Sequence, residues 1–426
     1  MAGSLITGLV VALLLVAGPF IQAEEDDVTG AVLLGLALGW AMMGVLSERF
    51  SDQPQRWAAA PAGFMGVAGL LLVGFGPAVH DVLSWVWPPA LLALVVWMIA
   101  HARRQLHSRS RRWVLYLVFA TLALASLGAG YETVSESVDA DAYPMPGQLI
   151  DVGGHRLHLH CTGSGSPTVV LEPGAGEISS VVGWIAPAVA RDTRVCVYDR
   201  AGRGSSEPAD SPQDGAQIAT DLHTLLHRGN VPGPFVLAGH SFGGLYASTF
   251  AARYLDEVAG MVLVDSTAPA SAGTAADDAG SDDIMSRASA LLSTSARLGL
   301  GRFYAQFDYG SLPPRSRDEV RASVATASHV RSTIDEFIQA TASMDQAQSL
   351  VDFADKPLVV LTAGRGHDAD WMAAQDDMAT LSTNSVHRVI GGATHASLIL
   401  DDGDAAATTQ GILDVVSSVS SEPVVR

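Results

Sequence analysis

The sequence predicts an α/β domain with a mostly parallel sheet, preceded by a bundle of transmembrane helices. Two observations support this prediction. Residues 1–130 are almost continuously apolar, whereas residues 147–420 alternate short apolar runs with amphipathic helical patterns. Strands that alternate with helices favour a parallel sheet covered on both faces. A chain of 426 residues has room for both parts, with residues 131–146 as a polar linker between them.

Five apolar segments in the first 130 residues approach the length of about 20 residues that a membrane-spanning helix needs. They lie near residues 4–22, 28–46, 62–80, 83–100 and 113–130. Pro88 and Pro89 interrupt the fourth segment, which makes it the least regular of the five. No Lys, Arg, Asp or Glu lies inside the segments. Because ion and proton pathways need such residues within the membrane, their absence favours an anchor over a transporter.

The charged residues of the loops predict the orientation of these helices. Arg49 and Arg56 follow the second segment, and five more arginines separate the fourth from the fifth: Arg103, Arg104, Arg109, Arg111 and Arg112. Residues 24–27, after the first segment, are all acidic. Basic loops stay in the cytoplasm, so five spans place everything after residue 130 outside. The sequence therefore predicts a multi-pass protein of the cell membrane with an extracytoplasmic α/β domain.

The net charge of the chain is confined to the α/β part. Residues 1–130 carry equal numbers of acidic and basic residues, so the formal charge of −19 belongs entirely to the rest. A strongly acidic surface disfavours nucleic acids and anionic substrates as partners. The simplest interpretation is a solvated, soluble domain.

The motif Gly239-His240-Ser241-Phe242-Gly243 carries the most chemical information. It has the pattern G-x-S-x-G, it follows the apolar run Phe235–Ala238, and it precedes a small-residue helical pattern at Leu245–Arg253. A serine between a strand and a helix, flanked by glycines, is typical of a nucleophile elbow, in which a tight turn projects the hydroxyl above the sheet. The strand–turn–helix context makes the motif far more specific than the bare pattern.

Two further motifs precede the elbow: E-P-G-A-G at Glu172–Gly176 and Y-D-R-A-G-R-G-S at Tyr198–Ser205. A late G-A-T-H follows at Gly392–His395. With these motifs, residues 146–420 resemble the α/β-hydrolase superfamily. In that family the resemblance favours the serine hydrolase branch, because epoxide hydrolases and dehalogenases carry aspartate at the elbow. Residues 266–356, between two predicted strands, are long enough to form a helical lid.

The resemblance implies a catalytic triad. Ser241 is the expected nucleophile, and His395, in the loop after the last strand, is the expected base. Two acids are open. Asp265 directly follows a strand and is preferred. Asp368 follows the next strand, at a spacing that departs from the family's usual interval, and is the alternative. Either would orient His395 and stabilise the imidazolium.

The resemblance also implies an oxyanion hole built from the backbone NH groups of Phe242 and Ala175. The family usually has His-Gly in the second loop, where this chain has Pro173-Gly174. No metal-ligand spacing involves the two cysteines, and no metal or cofactor is expected. The family's strand order places Cys161 beside Cys196, which makes a disulfide plausible, with two free buried thiols as the alternative.

Together these observations predict a membrane-anchored serine hydrolase, similar to carboxylesterases and lipases, that cleaves a carboxylic ester through an acyl-enzyme. Its expected partners are a small ester or lipid-like substrate and the lipid bilayer, and no nucleic acid. One alternative is an acyltransferase that uses the same triad with an alcohol acceptor. Another is a sensor whose α/β domain binds a ligand and whose helices transmit the bound state. Five spans exceed what an anchor requires, and this is the one feature that supports the sensor. Against it, nothing after residue 130 resembles a signalling module.

Overall fold

The computed structural model describes residues 2–50, 53–105, 109–269 and 279–421, which form two compact units. The helical unit comprises the described residues up to 142 together with 279–304 and 325–330. The sheet unit comprises the described residues of 143–269, 305–324 and 331–421. An all-α part precedes the α/β part, and the insertion contributes to both units.

Five helices begin the helical unit. They are α1 (Ala2–Ala17), α2 (Glu25–Phe50), α3 (Ala59–Phe75, after a 3₁₀ turn at Arg56–Ala58), α4 (Pro77–Gln105) and α5 (Arg109–Ala142). Four stretches are long and apolar enough to cross a membrane: Glu25–Phe50, Arg56–Phe75, Pro77–Gln105 and Trp113–Ala142. Helix α1 has 16 residues, or about 24 Å, and falls short of the roughly 30 Å hydrocarbon core. Pro88 and Pro89 lie inside α4 without ending it.

Small residues let the first three helices approach closely. A Cβ added to Gly8 on α1 would lie 2.7 Å from the Cα of Gly39 on α2. A Cβ on Gly30 would lie 2.8 Å from the carbonyl oxygen of Gly69 on α3. In lipid, such glycine contacts replace the hydrophobic effect as the basis of helix packing. Larger side chains at these positions would separate the helices.

The sheet has eight strands: β1 (Gln148–Asp151), β2 (Arg156–Thr162), β3 (Thr168–Glu172), β4 (Val195–Tyr198), β5 (Phe235–His240), β6 (Val258–Val264), β7 (Leu358–Ala363) and β8 (Ser385–Ile390). Their order is β1-β2-β4-β3-β5-β6-β7-β8. Strand β2 pairs antiparallel with both of its neighbours, β1 and β4, and the remaining pairs are parallel. Every residue of β3, β5 and β7 is buried, as expected for strands covered on both faces. The predicted fold class is confirmed.

Helices α6 (Ile185–Val189), α7 (Gly215–Arg228) and α8 (Phe242–Arg253) connect the first six strands. The insertion between β6 and β7 contains α9 (Ala279–Arg297), α10 (Leu300–Ala305), α11 (Pro314–Val324), α12 (Ala327–Ile338) and α13 (Ala340–Ala347). Helices α14 (Ala369–Ala379), α15 (Ser397–Leu400) and α16 (Asp402–Ser421) complete the chain. The insertion predicted over 266–356 is therefore helical, and its residues 270–278 lie outside the described part.

Residues 131–142, expected as the start of a polar linker, instead continue α5 as a helix. Within the helical unit, Glu132 and Asp139 of this stretch bind Arg302 of α10 at 3.0 and 2.7 Å. Ion pairs with a charged partner can hold a polar helix in place, so these residues form a helix without an apolar face. The change in composition after residue 130 therefore did not mark the end of the helix.

Cys161 and Cys196 form a disulfide. They lie directly opposite each other on the antiparallel strands β2 and β4. The sequence left open a disulfide or two free buried thiols, and the structure has the disulfide.

Candidate active site

Ser241 lies between the end of β5 and the start of α8 with φ 54° and ψ −123°. L-amino acids rarely adopt this conformation, and it costs roughly 1–3 kcal/mol. The flanking glycines are required by close contacts. A Cβ on Gly239 would lie 2.6 Å from the nitrogen of Gly244, and one on Gly243 would collide with the carbonyl oxygen of Glu172. The turn therefore explains the spacing of the G-x-S-x-G motif.

Asp265 and His395 meet beside this turn. Asp265 directly follows β6, the parallel neighbour of β5, and is fully buried. The Nδ1 atom of His395 donates a hydrogen bond to Asp265 Oδ2 at 2.6 Å. The ring centroid of His395 lies 4.6 Å from that of His240, the residue before Ser241. Among the described residues the Ser241 hydroxyl makes no hydrogen bond, and catalytic contacts often tighten only when substrate binds.

Four donors surround the carboxylate of Asp265. His395 and His367 both donate to Oδ2 at 2.6 Å, while the Ala363 NH and the Trp371 indole donate to Oδ1 at 3.1 and 3.2 Å. Burial alone would raise the pKa of Asp265, but the hydrogen bonds from His395, Ala363 and His367 hold it below its usual value. The residue therefore stays ionised, as the partner of an imidazolium must be.

Asp368 has a different role in the structure. Its carboxylate accepts a hydrogen bond from the Trp371 NH at 2.9 Å and caps the N-terminus of α14. Of the two acids that the sequence left open, the structure brings Asp265 and not Asp368 to His395. The backbone NH groups in the first turn of a helix lack partners within the helix. An aspartate at the N-cap, such as Asp368, is favoured because its carboxylate accepts their hydrogen bonds.

Sequence reasoning missed His367 and Trp371. The ring of His367 stacks on that of Trp371 with the centroids 4.5 Å apart, and both side chains contact Asp265. Both residues flank Asp368, in the segment that was searched for the triad acid. A histidine and a tryptophan beside a strand end were the available signal, since both can donate to a buried carboxylate.

The expected oxyanion-hole residues lie close to Ser241. Phe242 begins α8, and Ala175 belongs to the loop after β3. A Cβ on Gly174 would lie 3.1 Å from the Cβ of Ser241, so this loop passes directly beside the serine. Within the described part of the chain, neither the Ala175 NH nor the Phe242 NH donates to a protein acceptor. Both remain available for an anion, and the dipole of α8 favours negative charge at Phe242.

Glu336 of α12 ties the insertion to this loop. Within the sheet unit its carboxylate accepts a hydrogen bond from the Gly176 NH at 2.8 Å and from the Tyr246 hydroxyl at 2.8 Å. It also pairs with Arg203 at 2.6 Å and Arg200 at 3.1 Å. Burial would raise the pKa of Glu336, but the two guanidinium groups lower it to about 2. Glu336 is therefore a buried carboxylate that accepts two hydrogen bonds and forms ion pairs with two arginines.

Arg200 holds the same loop from the other side. Its guanidinium donates to the carbonyl oxygens of Pro173 (2.8 Å) and Gly174. The chain departs from the family's His-Gly at this point, and the buried arginine binds the carbonyl groups of the loop directly. The loop therefore has its backbone fixed at Pro173, Gly174 and Gly176, on both sides of Ala175.

His240 links the loop to the segment that carries His395. Its Nδ1 atom donates to the carboxylate of Glu177 at 3.3 Å, and its Nε2 atom donates to the backbone carbonyl of His395 at 3.0 Å. Each contact favours a proton on the ring nitrogen concerned, so together they favour the positively charged form of the ring. Although burial disfavours this charge, the Glu177 carboxylate raises the pKa of His240.

A sequence profile described as the alpha/beta hydrolase family matches residues 169–409, which is more than half of the chain. The chain belongs to the alpha/beta hydrolase family. This α/β-hydrolase is 29% identical over 301 residues to an uncharacterised protein of Schizosaccharomyces pombe, covering 62% of this chain and 54% of that protein. It is also 30% identical to an uncharacterised vacuolar membrane protein of Saccharomyces cerevisiae, covering 26% of this chain and 20% of the relative. The matches thus span about half or less of these relatives' own lengths.

Two epoxide hydrolases are also similar to this α/β-hydrolase. A soluble epoxide hydrolase of Corynebacterium is 27% identical, covering 50% of this chain and 79% of that enzyme. The solved structure of epoxide hydrolase CorEH has a TM-score of 0.51 at 20% identity, covering 64% of this chain and 98% of that one. Likeness at this level of identity shows the fold, and the chemistry has to be argued from the site.

Glu172, at the end of β3, is a titratable group inside the α/β-hydrolase domain. It is buried, receives a hydrogen bond from the Tyr198 hydroxyl at 2.7 Å, and lies 3.6 Å from Arg200. Burial raises the pKa of Glu172 to about 7 despite these contacts. In the unfolded chain the pKa of Glu172 has its ordinary value of 4.5, so the residue ionises at lower pH there than in the folded domain. This group therefore lowers stability as pH rises from about 4.5 to about 7.

Replacing Glu172 with glutamine should remove that pH dependence. Two and a half pKa units correspond to about 3 kcal/mol, so the variant should gain about this much relative to wild type between pH 4 and pH 8. Thermal unfolding of both proteins across this range measures the change. Glu207→Gln, at the exposed pair with Arg156, is the matched control and should follow the wild type. Parallel curves for wild type and Glu172→Gln would contradict the prediction.

Proposed function

We propose that this α/β-hydrolase is a membrane-anchored serine hydrolase that cleaves a carboxylic ester through an acyl-enzyme. The observation that carries the proposal is a serine at the elbow beside a histidine whose Nδ1 atom donates to the buried carboxylate of Asp265. A serine hydroxyl needs an adjacent base to become nucleophilic, and this arrangement offers one.

The proposed reaction follows from these positions. His395 removes the proton of Ser241 as its oxygen attacks the ester carbonyl, and Asp265 stabilises the imidazolium. The free NH groups of Ala175 and Phe242 stabilise the negative oxygen of the tetrahedral intermediate. His395 then donates its proton to the leaving alcohol, and a water molecule hydrolyses the acyl-enzyme by the same steps.

The similarity to epoxide hydrolases does not favour their chemistry here. The resemblance to the wider family associates that branch with an aspartate at the elbow, whose carboxylate attacks the epoxide carbon. This chain has Ser241 at that position. A serine cannot form the ester intermediate that a carboxylate forms, and acyl transfer is the chemistry that a serine, a histidine and an oxyanion hole support together.

The charges at the helix ends support an extracytoplasmic hydrolase domain. Helix α2 begins with Glu25, Asp26 and Asp27 and ends with Arg49, while α4 ends with Arg103 and Arg104. The positive-inside rule then takes α2 inward, α3 outward, α4 inward and α5 outward. This path leads to the outer side at Ala142 whether or not the short α1 crosses the membrane.

Labelling with a fluorophosphonate probe tests the proposed activity. Membranes containing wild type, Ser241→Ala or Ser349→Ala are treated with the probe and assayed with p-nitrophenyl esters of increasing acyl length. We expect label and turnover in wild type and in the control at exposed Ser349, and neither in Ser241→Ala. Wild type that is folded by its thermal transition and takes no label, or label retained in Ser241→Ala, would overturn the proposal.

The acyl-length series addresses the substrate class. A domain held at a bilayer meets lipid-like esters at high local concentration, which favours long acyl chains as substrates. Preference for long chains would support a lipid-like substrate, and preference for short chains would restrict the proposal to small soluble esters.

A further inference from the structure

Two histidines and a glutamate converge near the end of α8 that is opposite to Ser241. His223 and His227 lie one turn apart on the same face of α7, and Glu257 lies in the 3₁₀ turn that follows α8. The Nε2 atom of His223 lies 2.9 Å from Glu257 Oε1, and that of His227 lies 2.9 Å from Oε2. Ser241 precedes the opposite end of α8, about 18 Å away along the 12-residue helix.

We propose that His223, His227 and Glu257 form a binding site for a divalent transition-metal ion of the zinc type. Two imidazoles and one carboxylate are a ligand set that Zn²⁺ accepts, with water in the fourth position. Two histidines four residues apart on a helix present both rings to one ion.

The distances suit this ion. Ligand atoms about 2.1 Å from a tetrahedral ion are about 3.4 Å from one another. The ligand atoms of the three residues already lie within 4.8 Å of one another, and each nitrogen is 2.9 Å from a carboxylate oxygen. Small rotations of the side chains bring them to the required separation.

The surroundings fix one ring and leave the other free to adjust. His223 stacks on Tyr254 with the ring centroids 3.9 Å apart and an interplanar angle of 11°. The His227 side chain is 56% exposed, so it can rotate onto an ion and water can complete the coordination. A fixed first ligand and an accessible second ligand give the ion both a defined position and a route of entry.

A second group in the described part of the chain, Asp265 with His367 and His395, also has three ligand atoms within 4.8 Å. It suits an ion less well. Both nitrogens point at the same carboxylate oxygen, and the other oxygen already accepts two hydrogen bonds. Asp265 is fully buried, whereas the Glu257 side chain is 32% exposed. The group on α7 offers one carboxylate oxygen to each histidine and faces solvent.

The test is a metal titration of the full chain in detergent micelles. The protein carries no histidine tag, is stripped with a chelator, and is then unfolded thermally with increasing zinc chloride or, in parallel, magnesium chloride. A ligand that binds only the folded state raises the melting temperature. We expect zinc but not magnesium to raise the melting temperature of wild type, and equilibrium dialysis to show one bound zinc per chain.

Variants assign the effect to the site. His227→Gln and His223→Gln should lose the zinc-dependent shift. His367→Gln, in the other group, and His387→Gln, at a single pair with Asp376, should keep it. Absence of a shift in wild type, an unchanged shift in His227→Gln, or loss of the shift in His367→Gln would each overturn the proposal. Because His227 is mostly exposed, its variant should fold as wild type does, and an equal melting temperature without zinc verifies this. The proposal does not depend on Ser241 being catalytic.

Discussion

Asp265→Asn is expected to lower kcat by about 10⁴-fold, the effect of the same change in serine protease triads. A carboxylate only accepts hydrogen bonds, so it requires His395 to carry its proton on Nδ1. Asparagine presents an NH₂ group to one of the two histidines that now donate to Oδ2. If that histidine is His395, its Nδ1 atom becomes the acceptor and its proton moves to Nε2. The ring then cannot accept the proton of Ser241.

The matched control is Asp368→Asn. Asparagine caps helices as well as aspartate does, so this variant should keep wild-type kcat and lose at most a few tenths of a kcal/mol of stability. Both enzymes are assayed with the preferred p-nitrophenyl ester, and their folding is verified by thermal unfolding. A large loss of kcat in Asp368→Asn, with little change in Asp265→Asn, would reverse the assignment of the acid.

Glu336→Gln is expected to lower kcat by about 10²–10³-fold, the effect of losing an oxyanion-hole donor, although the residue lies outside the proposed triad. Glutamine is neutral, so Arg200 and Arg203 lose the carboxylate that they share, and the Gly176 NH loses a charged acceptor. Removing one partner of a buried ion pair also destabilises a protein by about 3–5 kcal/mol. The loop that presents the Ala175 NH should then lose its fixed position.

Kinetics per active site separate positioning from simple loss of fold. Fluorophosphonate labelling counts the competent sites, and kcat is calculated per labelled site well below the melting temperature. A positioning role predicts a reduced kcat per site with KM nearly unchanged. An unchanged kcat per site, with only fewer sites, would contradict it. Glu319→Gln, which removes another insertion carboxylate hydrogen-bonded to Ser180, is the control and should retain kcat. If Glu336→Gln does not fold, Arg203→Lys weakens the same contact more mildly.

The positions of Ser241, Asp265 and His395 were predictable because each follows a strand of a parallel sheet. The carboxyl ends of such strands meet at one edge, so residues distant in sequence become neighbours there. The sequence preferred Asp265 over Asp368 but did not decide between them. Both follow a strand, and only the direction of the backbone decides whether the carboxylate faces the sheet edge or caps the next helix. Asp368 directly precedes a helical pattern that includes Trp371, and an aspartate at such a position indicates a helix N-cap.

Glu336 could not be predicted from the sequence. It lies 160 residues from Gly176, in an insertion that has no motif of its own, and a single acidic residue on a helix usually faces solvent. The helical continuation of α5 to Ala142 depends likewise on a partner, Arg302, that is 170 residues from Glu132. These contacts join residues that are distant in the sequence, so local composition does not predict them.

The bridge between Cys161 and Cys196 uses both cysteines of the chain, so no sulfhydryl remains for chemical modification. Any single cysteine introduced elsewhere then becomes the sole target of a maleimide reagent. Placed in turn at exposed Pro54 between α2 and α3 and at exposed Pro77 at the start of α4, it would report which side of the membrane each position occupies, without first removing a native cysteine. The native chain is therefore already a suitable background for mapping its own topology.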